Sequence, residues 1–180
     1  MLVARTLDPQ PGERVLDLCA APGGKTTHMA ALMSGEGTIV AVERHAGRAA
    51  AMQRTCERMH ASNVAVQVGD AARFTTQEKF DRVLVDPPCS GLGTLQGHPD
   101  LRWRMTPAAI GTMAQAQANI LGAAVGALAP GGTLVYSTCT LSPRENEQQA
   151  AAAGLRLESA RLVLPHRDRT DGFYIARLTA

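Results

Sequence analysis

Aromatic side chains make up only 3% of this 180-residue chain, so it holds no broad stacking platform for nucleic-acid bases. Of its 18 basic side chains only two, Lys25 and Lys79, are lysines. The net charge of +2 is too small to mark a nucleic-acid partner and too small to exclude one. No apolar run approaches the roughly 18 residues that a membrane span needs, so no membrane partner is expected. The N-terminus lacks the basic, then apolar, then small-residue order of a secretion signal. The cysteines, Cys19, Cys56, Cys89 and Cys139, include no CxxC pair. That spacing argues against a zinc knuckle and against a disulfide framework, so no metal is expected. Free thiols in a reducing cytoplasm are the expectation. Internal repeats are absent, and the Ala run at 150–153 is the one low-complexity stretch.

What is present is a globular composition, 45% apolar and 19% charged, over a length that suits one domain spanning 1–180. Apolar strand-like runs alternate with longer helical patterns. The pattern predicts strands at Val15–Cys19, Thr38–Val42, Val64–Val68, Phe80–Val85 and Thr133–Ser137. Between them it predicts helices at Lys25–Met33, Gly47–His60 and Pro107–Leu128, the last closed by Pro130-Gly131-Gly132. The tail offers two further strands, Arg161–Leu164 and Phe173–Leu178, expected to run antiparallel to each other. Fully apolar strands alternating with helices make an α/β fold with a mostly parallel sheet. Ligands of such sheets bind beyond the carboxyl ends of the strands.

The motifs gather at those ends. At 16–26, LDLCAAPGGKT runs a buried strand through small residues into a helix, where backbone can approach a ligand and free N–H groups are exposed. It is neither GxGxxG nor a P-loop, because Cys19 stands where a P-loop needs glycine. A tight strand-to-helix turn is the competing interpretation. Glu43 ends the second strand about 20 residues on, where an acid can take a ribose diol or simply be solvated. Asp70 follows the third strand and either holds an adenine amino group or caps a turn. Asp86-Pro87-Pro88-Cys89 presents a thiol at the rim of the fourth strand, and Ser137-Thr138-Cys139 presents a second after the fifth. Cys19 and Cys56 suit packing or backbone positions. Arg102, Trp103 and Arg104 fit a phosphate- and base-binding loop, or a helix start with its Trp turned inward.

LDLCAAPGGKT at 16–26, VLVDPPCSGLGTL at 83–95, HPDLRW at 98–103, LAPGGTLVYSTCTLSPRENE at 128–147 and DGFYIARL at 171–178 cover nearly the whole chain. Together they resemble the S-adenosylmethionine-dependent RNA cytosine-5 methyltransferases of the NOL/NOP/Sun family. The resemblance implies a seven-stranded Rossmann-like methyltransferase sheet with helices on both faces. It also implies S-adenosylmethionine as cofactor and RNA, ribosomal RNA in the first instance, as substrate. It assigns Cys19, Ala20, Ala21, Pro22, Gly23, Gly24 and Lys25 to the cofactor loop. Glu43 falls where the family usually has a ribose-binding Asp, Arg48 matches a basic residue near the cofactor, and Asp70 matches the adenine-side acid. Asp86 matches the acid that faces both methyl donor and target base.

The chemistry wants a thiolate, because C5 of cytosine attacks a methyl donor only after a nucleophile adds to C6. The residues alone leave that nucleophile open between Cys89 and Cys139. The resemblance gives it to Cys139 and leaves product release to Cys89. Family members carry an N-terminal RNA-binding region with no counterpart here, so an extra RNA-binding region is expected to be needed. Two other functions compete: a cofactor-binding scaffold without turnover, and a methyltransferase acting on DNA or a small molecule.

Overall fold

The computed structural model describes residues 2–180. In chain order it holds α1 (Leu2–Leu7), β1 (Arg14–Leu18), α2 (Gly24–Leu32), β2 (Thr38–Glu43), α3 (Ala46–Arg58) and β3 (Val64–Val68). A short 3-10 turn (Ala71–Arg73) leads to β4 (Phe80–Val85), α4 (Leu101–Arg104), α5 (Pro107–Ala127) and β5 (Leu128–Thr138). The chain closes with α6 (Glu147–Ala152), β6 (Arg156–Val163), α7 (Pro165–Asp168) and β7 (Phe173–Thr179).

The strands form one seven-stranded sheet in the order β3-β2-β1-β4-β5-β7-β6. The first five run parallel, and β7 pairs antiparallel with both β5 and β6. The expected fold and the antiparallel tail are therefore both observed. Val15, Leu16, Leu18, Val83, Leu84 and Val85 are fully enclosed because helices cover both faces of the sheet. Met29, Met33 and Met52 pack with α1 residues on one face, while Ile120, Leu121 and Ala124 of α5 pack on the other. Each of the larger side chains among them contributes about 1.5–3 kcal/mol when fully buried.

Chain order reverses beside β1, which has β2 on one side and β4 on the other. That switch point opens a crevice at the carboxyl ends of β1 and β4. No helix among the described residues is long and apolar enough to cross a membrane.

Several element ends differ from the sequence pattern by one or two residues, and larger departures occur at β5, β6 and α1. The long helix stops at Ala127, and β5 begins at Leu128, ahead of the Pro-Gly-Gly that looked like the helix stop. Leu128 pairs with Phe80, and a register shift between Phe80 and Arg82 absorbs the irregular stretch. β6 starts at Arg156 because it is an exposed edge strand whose side chains carry no apolar alternation. Helix α1, too short to show a period, caps the sheet through Val3, Ala4 and Leu7.

Candidate active site

At the end of β1, Cys19 takes a left-handed φ of 69° and Gly23 a φ of 99°. The turn is tied to the neighbouring strand by Ala20 N–H donating to the Val42 carbonyl at 2.9 Å. The left-handed backbone at Gly23 suits glycine, and a Cβ there would also crowd Met52 Cγ at 3.0 Å. The first turn of α2 thus starts directly beneath the crevice with its N–H groups unspent.

Glu43, at the end of β2, is 3% exposed. Its Oε1 accepts the His45 N–H at 2.8 Å, and Arg48 stands 3.7 Å from its Oε2. Arg48 also donates to the Ala21 carbonyl at 2.9 Å. Turn, acid and arginine predicted from separate segments are therefore one cluster. Asp70 sits beyond β3 on the same edge, and its Oδ1 accepts the Ala72 N–H at 3.0 Å as a cap of the 3-10 turn.

Asp86 leaves the end of β4 and is gripped from both sides. Lys25 Nζ lies 2.6 Å from Oδ2, and the Ser137 hydroxyl donates to Oδ1 at 2.8 Å. Lys25 also lies over the Phe173 ring, 5.6 Å from its centroid. A cleft of about 460 Å³ opens here. Its walls are Cys19–Pro22, Gly24, Lys25, Asp17 and Asp86 on one side, and α1 with Phe173 and Ile175 on the other. Glu43 and Asp70 stand outside it, at the adjoining strand ends.

The two thiols from separate strand ends meet, with Cys89 Sγ and Cys139 Sγ 3.3 Å apart. Parallel pairing of β4 with β5 brings this about, because it aligns Val85 with Tyr136 and so delivers both downstream loops to one edge. The pair is electrostatically uneven. The hydrogen bond from Cys89 holds the Cys139 thiol below its usual range, with its own backbone N–H and Lys25 helping, against burial and the charge of Asp86. The same bond, with burial, pushes Cys89 well above the thiol range. A thiolate at Cys139 hydrogen-bonded by a protonated Cys89 is the arrangement these causes favour.

Burial raises Asp17 and the two remaining thiols. Burial pushes Cys19 up to about 12. It also raises Cys56, which packs into the core from the inner face of α3 as expected. Asp17, 1% exposed and bonded by the Thr26 hydroxyl at 2.6 Å, is raised to about 7, chiefly by burial and despite that bond.

Trp103 points outward at 84% exposure, so it is not the inward-packed aromatic of the competing interpretation. Arg104 pairs with Asp100 at 3.0 Å on the same short helix, and Arg102 lies exposed beside it. That helix sits over the Cys89 loop, where Leu101 Cδ1 would come 3.1 Å from a Cβ on Gly91.

Three participants have more to do here than the sequence analysis gave them. Lys25 was assigned only to the cofactor loop, yet it pairs with Asp86 and its charge helps to lower the Cys139 thiol. Ser137 and Glu145 were not singled out. Nothing local in the sequence marks a hydrogen bond that spans 51 or 55 positions.

A family model described as 16S rRNA methyltransferase RsmB/F matches residues 4–179. A probable ribosomal RNA small subunit methyltransferase B from Synechocystis is 42% identical, with 98% of this chain and 45% of that protein covered. Ribosomal RNA small subunit methyltransferase B from Klebsiella pneumoniae is also 42% identical, with 97% of this chain and 43% of that protein covered. The chain thus spans less than half the length of these curated relatives. Among solved structures, NSun6 from Pyrococcus horikoshii with SFG superposes with a TM-score of 0.92 at 35% identity, covering 99% of this chain and 50% of that one. With nearly every residue inside one family model and paired thiols where the NOL/NOP/Sun motifs lead one to expect them, the chain belongs to the 16S rRNA methyltransferase RsmB/F family.

Proposed function

We propose that this chain carries S-adenosylmethionine-dependent methyl transfer to C5 of a cytosine in RNA, with small-subunit ribosomal RNA as the substrate class. The observation that carries it is the meeting of Cys89 and Cys139 at 3.3 Å beside the Lys25–Asp86 ion pair. A scaffold without turnover has no use for a thiol whose ionisation is assisted.

The residues present fit a nucleoside cofactor. Small residues at 19–24 leave backbone open to the cleft, and Glu43 offers a carboxylate one strand away. A ribose diol would bind Glu43 through Oε2, which requires Arg48 to swing off, as its side-chain exposure of 56% allows. Asp70 has one oxygen committed to its cap and a second free for an adenine amino group. SFG, held by the Pyrococcus relative, is an analogue of the proposed cofactor. When bound, S-adenosylmethionine supplies the electrophilic methyl that C5 takes.

The chain's own residues do the rest. Cys139 thiolate adds to C6, forming the S–C6 bond and making the ring an enamine nucleophilic at C5. Asp86 relays toward N3 a proton that it takes from the Lys25 ammonium hydrogen-bonded to it, and Lys25 is left neutral. After methylation the C5 proton leaves to a base, the C5=C6 bond reforms and the S–C6 bond breaks. The Cys89 S–H, already hydrogen-bonded to Cys139, stabilises the departing thiolate. Exposed Arg102, Trp103 and Arg104 beside the Cys89 loop supply part of the RNA grip, and a further RNA-binding region supplies the remainder. A ribosomal substrate implies work in the cytoplasm.

Tritium release from RNA containing C5-labelled cytosine tests the reaction. Cys139→Ala is expected to abolish release, and Cys89→Ala to accumulate a covalent protein–RNA adduct. Full turnover by Cys139→Ala overturns the assignment. Cofactor titration checks the nucleoside site: Glu43→Ala should weaken binding by at least about tenfold, since a hydrogen bond to a charged group is worth about 1.5–3 kcal/mol.

A further inference from the structure

We infer that Glu145 is a positioning residue that clamps the two cysteine loops together and so sets the spacing of the sulfurs. The inference rests on the proposal that Cys139 and Cys89 perform the chemistry. It also has a readout that does not depend on that proposal.

Glu145 is 0% exposed, and no Lys, Arg or His lies within ion-pairing distance of it among the described residues. A carboxylate buried without a cation is costly unless neutral donors converge on it. Here they do, and they come from three parts of the chain. Ser90 N–H donates to Oε1 at 2.8 Å, and the Ser90 hydroxyl donates to Oε2 at 2.5 Å. Gln117 of α5 donates to Oε1 at 3.1 Å and also to the Pro88 carbonyl at 2.9 Å. Thr140 Oγ1 lies 3.3 Å from Oε2 and 2.7 Å from the Ser90 hydroxyl.

Donor direction follows from this arrangement. The Ser90 proton is committed to the carboxylate, so its oxygen accepts from the Thr140 hydroxyl, which in turn accepts from Ser142 N–H at 3.3 Å. The chain of bonds runs Ser142 to Thr140 to Ser90 to Glu145. Ser90 is the residue after Cys89, and Thr140 is the residue after Cys139. One carboxylate therefore anchors the neighbour of each sulfur. Asn146, also fully buried, brackets Cys139 from both sides, accepting from the Thr138 hydroxyl at 2.5 Å and donating to the Thr140 carbonyl at 3.0 Å. The Tyr136 hydroxyl fixes the clamp itself by donating to the Glu145 carbonyl at 2.7 Å. Among the described residues, the one backbone hydrogen bond joining the Cys89 loop to Cys139 runs from Gly93 N–H to the Cys139 carbonyl.

Phenylarsine oxide reads the sulfur spacing directly. Its arsenic exchanges oxygen for two thiols, forming two As–S bonds and releasing water, and it does so efficiently only when the thiols are adjacent. The wild-type chain is expected to take one phenylarsine group, mapped by peptide mass to Cys89 and Cys139. Glu145→Gln keeps acceptor and shape, and its amide can donate to Ser90 while the hydroxyl chain reverses. It is expected to take up the reagent at close to the wild-type rate. Glu145→Ala should react at least about tenfold more slowly while circular dichroism reports a folded chain, with the methylation kcat falling and the cofactor KM holding. Should Glu145→Ala not fold, the milder pair Ser90→Ala and Thr140→Val carries the test, and slowed uptake is again expected.

Wild-type uptake by a folded Glu145→Ala, or by the milder pair, overturns the clamp. So does a wild-type chain that does not bridge the reagent between Cys89 and Cys139, or a Glu145→Gln variant as slow as alanine. Uptake that responds to Glu145 in a chain that never methylates RNA refutes the proposed function and leaves the clamp standing. Methylation with uptake indifferent to Glu145 does the reverse.

Discussion

Removing Cys89 separates the two sulfurs' roles. Cys139 is favoured as thiolate first by the hydrogen bond from Cys89, while burial and Asp86 oppose ionisation. A hydrogen bond to a charged acceptor is worth about 1.5–3 kcal/mol, and a thiol is a weak donor, so the lower end applies. Because 1.36 kcal/mol is a factor of ten, the thiolate fraction of Cys139 at neutral pH should fall roughly tenfold in Cys89→Ala. Alkylation by iodoacetamide, located by peptide mass, measures that fraction, because the thiolate is the species that reacts. Cys139 in Cys89→Ala should alkylate roughly tenfold more slowly at pH 7. Cys89→Ser restores a donor and should return most of the rate. The reciprocal experiment moves the other thiol the opposite way. Cys89 is raised first by the bond it gives to Cys139, so in Cys139→Ala it should alkylate faster than in the wild type. Unchanged or faster alkylation of Cys139 in Cys89→Ala, or an unmoved Cys89 in Cys139→Ala, refutes the uneven pair.

Asp17 predicts a pH-dependent stability. Its carboxyl rises from 3.8 to about 7 on folding, mainly through burial, so the folded state holds its proton more tightly. The resulting stabilisation is complete below 3.8 and is lost as pH rises through about 7. Thermal unfolding across that window should show Asp17→Asn gaining on the wild type with rising pH, by on the order of 2–4 kcal/mol, and a parallel pair of profiles would contradict this. Gly93→Ala should destabilise by about 1–3 kcal/mol in denaturant unfolding, because its Cβ would lie 2.1 Å from the Gly172 carbonyl oxygen and 2.8 Å from that of Cys139. Arg102→Ala and Arg104→Ala should each flatten the salt dependence of RNA binding by about 0.7 in slope if each neutralises one phosphate. Trp103→Ala, at an exposed position, should weaken RNA binding and leave the unfolding midpoint in place.

The parallel core and the edge that carries the site could be read from the chain because both follow from local pattern. Runs such as Ile39–Val42 and Val83–Val85 are apolar at every position, which only a sheet covered on both faces satisfies. Once β4 and β5 are parallel neighbours, Cys89 and Cys139 must leave the same edge. What escaped the pattern was either too short or too far apart in sequence. The six residues of α1 span fewer than two turns, so no period could reveal them. The start of β5 hides behind Pro130-Gly131-Gly132, a stop signal that a register shift overrides. Asp70 carried two interpretations, and its side chain makes the cap while leaving an oxygen for the other. Lys25 lies 61 positions from Asp86, and their ion pair exists only because α2 begins over the crevice between β1 and β4.

Charge accounting then selects which groups can react. Asp17, Asp86 and Cys139 all feel the single ammonium of Lys25, and one cation cannot support three anions in a part-buried site. The fold resolves the conflict by distance and by burial. Asp86 takes the ion pair at 2.6 Å. Asp17 and Cys19 are buried until they keep their protons, and Cys89 keeps its own by giving it in a hydrogen bond. Cys139 is the one thiol left with a donor on its sulfur and a cation nearby. The four cysteines, indistinguishable by composition, are thus sorted by the groups around them into one thiol whose ionisation is assisted and three that are pushed upward. That sorting also explains why the sulfur spacing needs a rigid hold. If Cys89 drifts from 3.3 Å, the main cause that lowers Cys139 weakens with it, and in the proposed reaction the lost thiolate would slow addition to C6 before any substrate contact has changed.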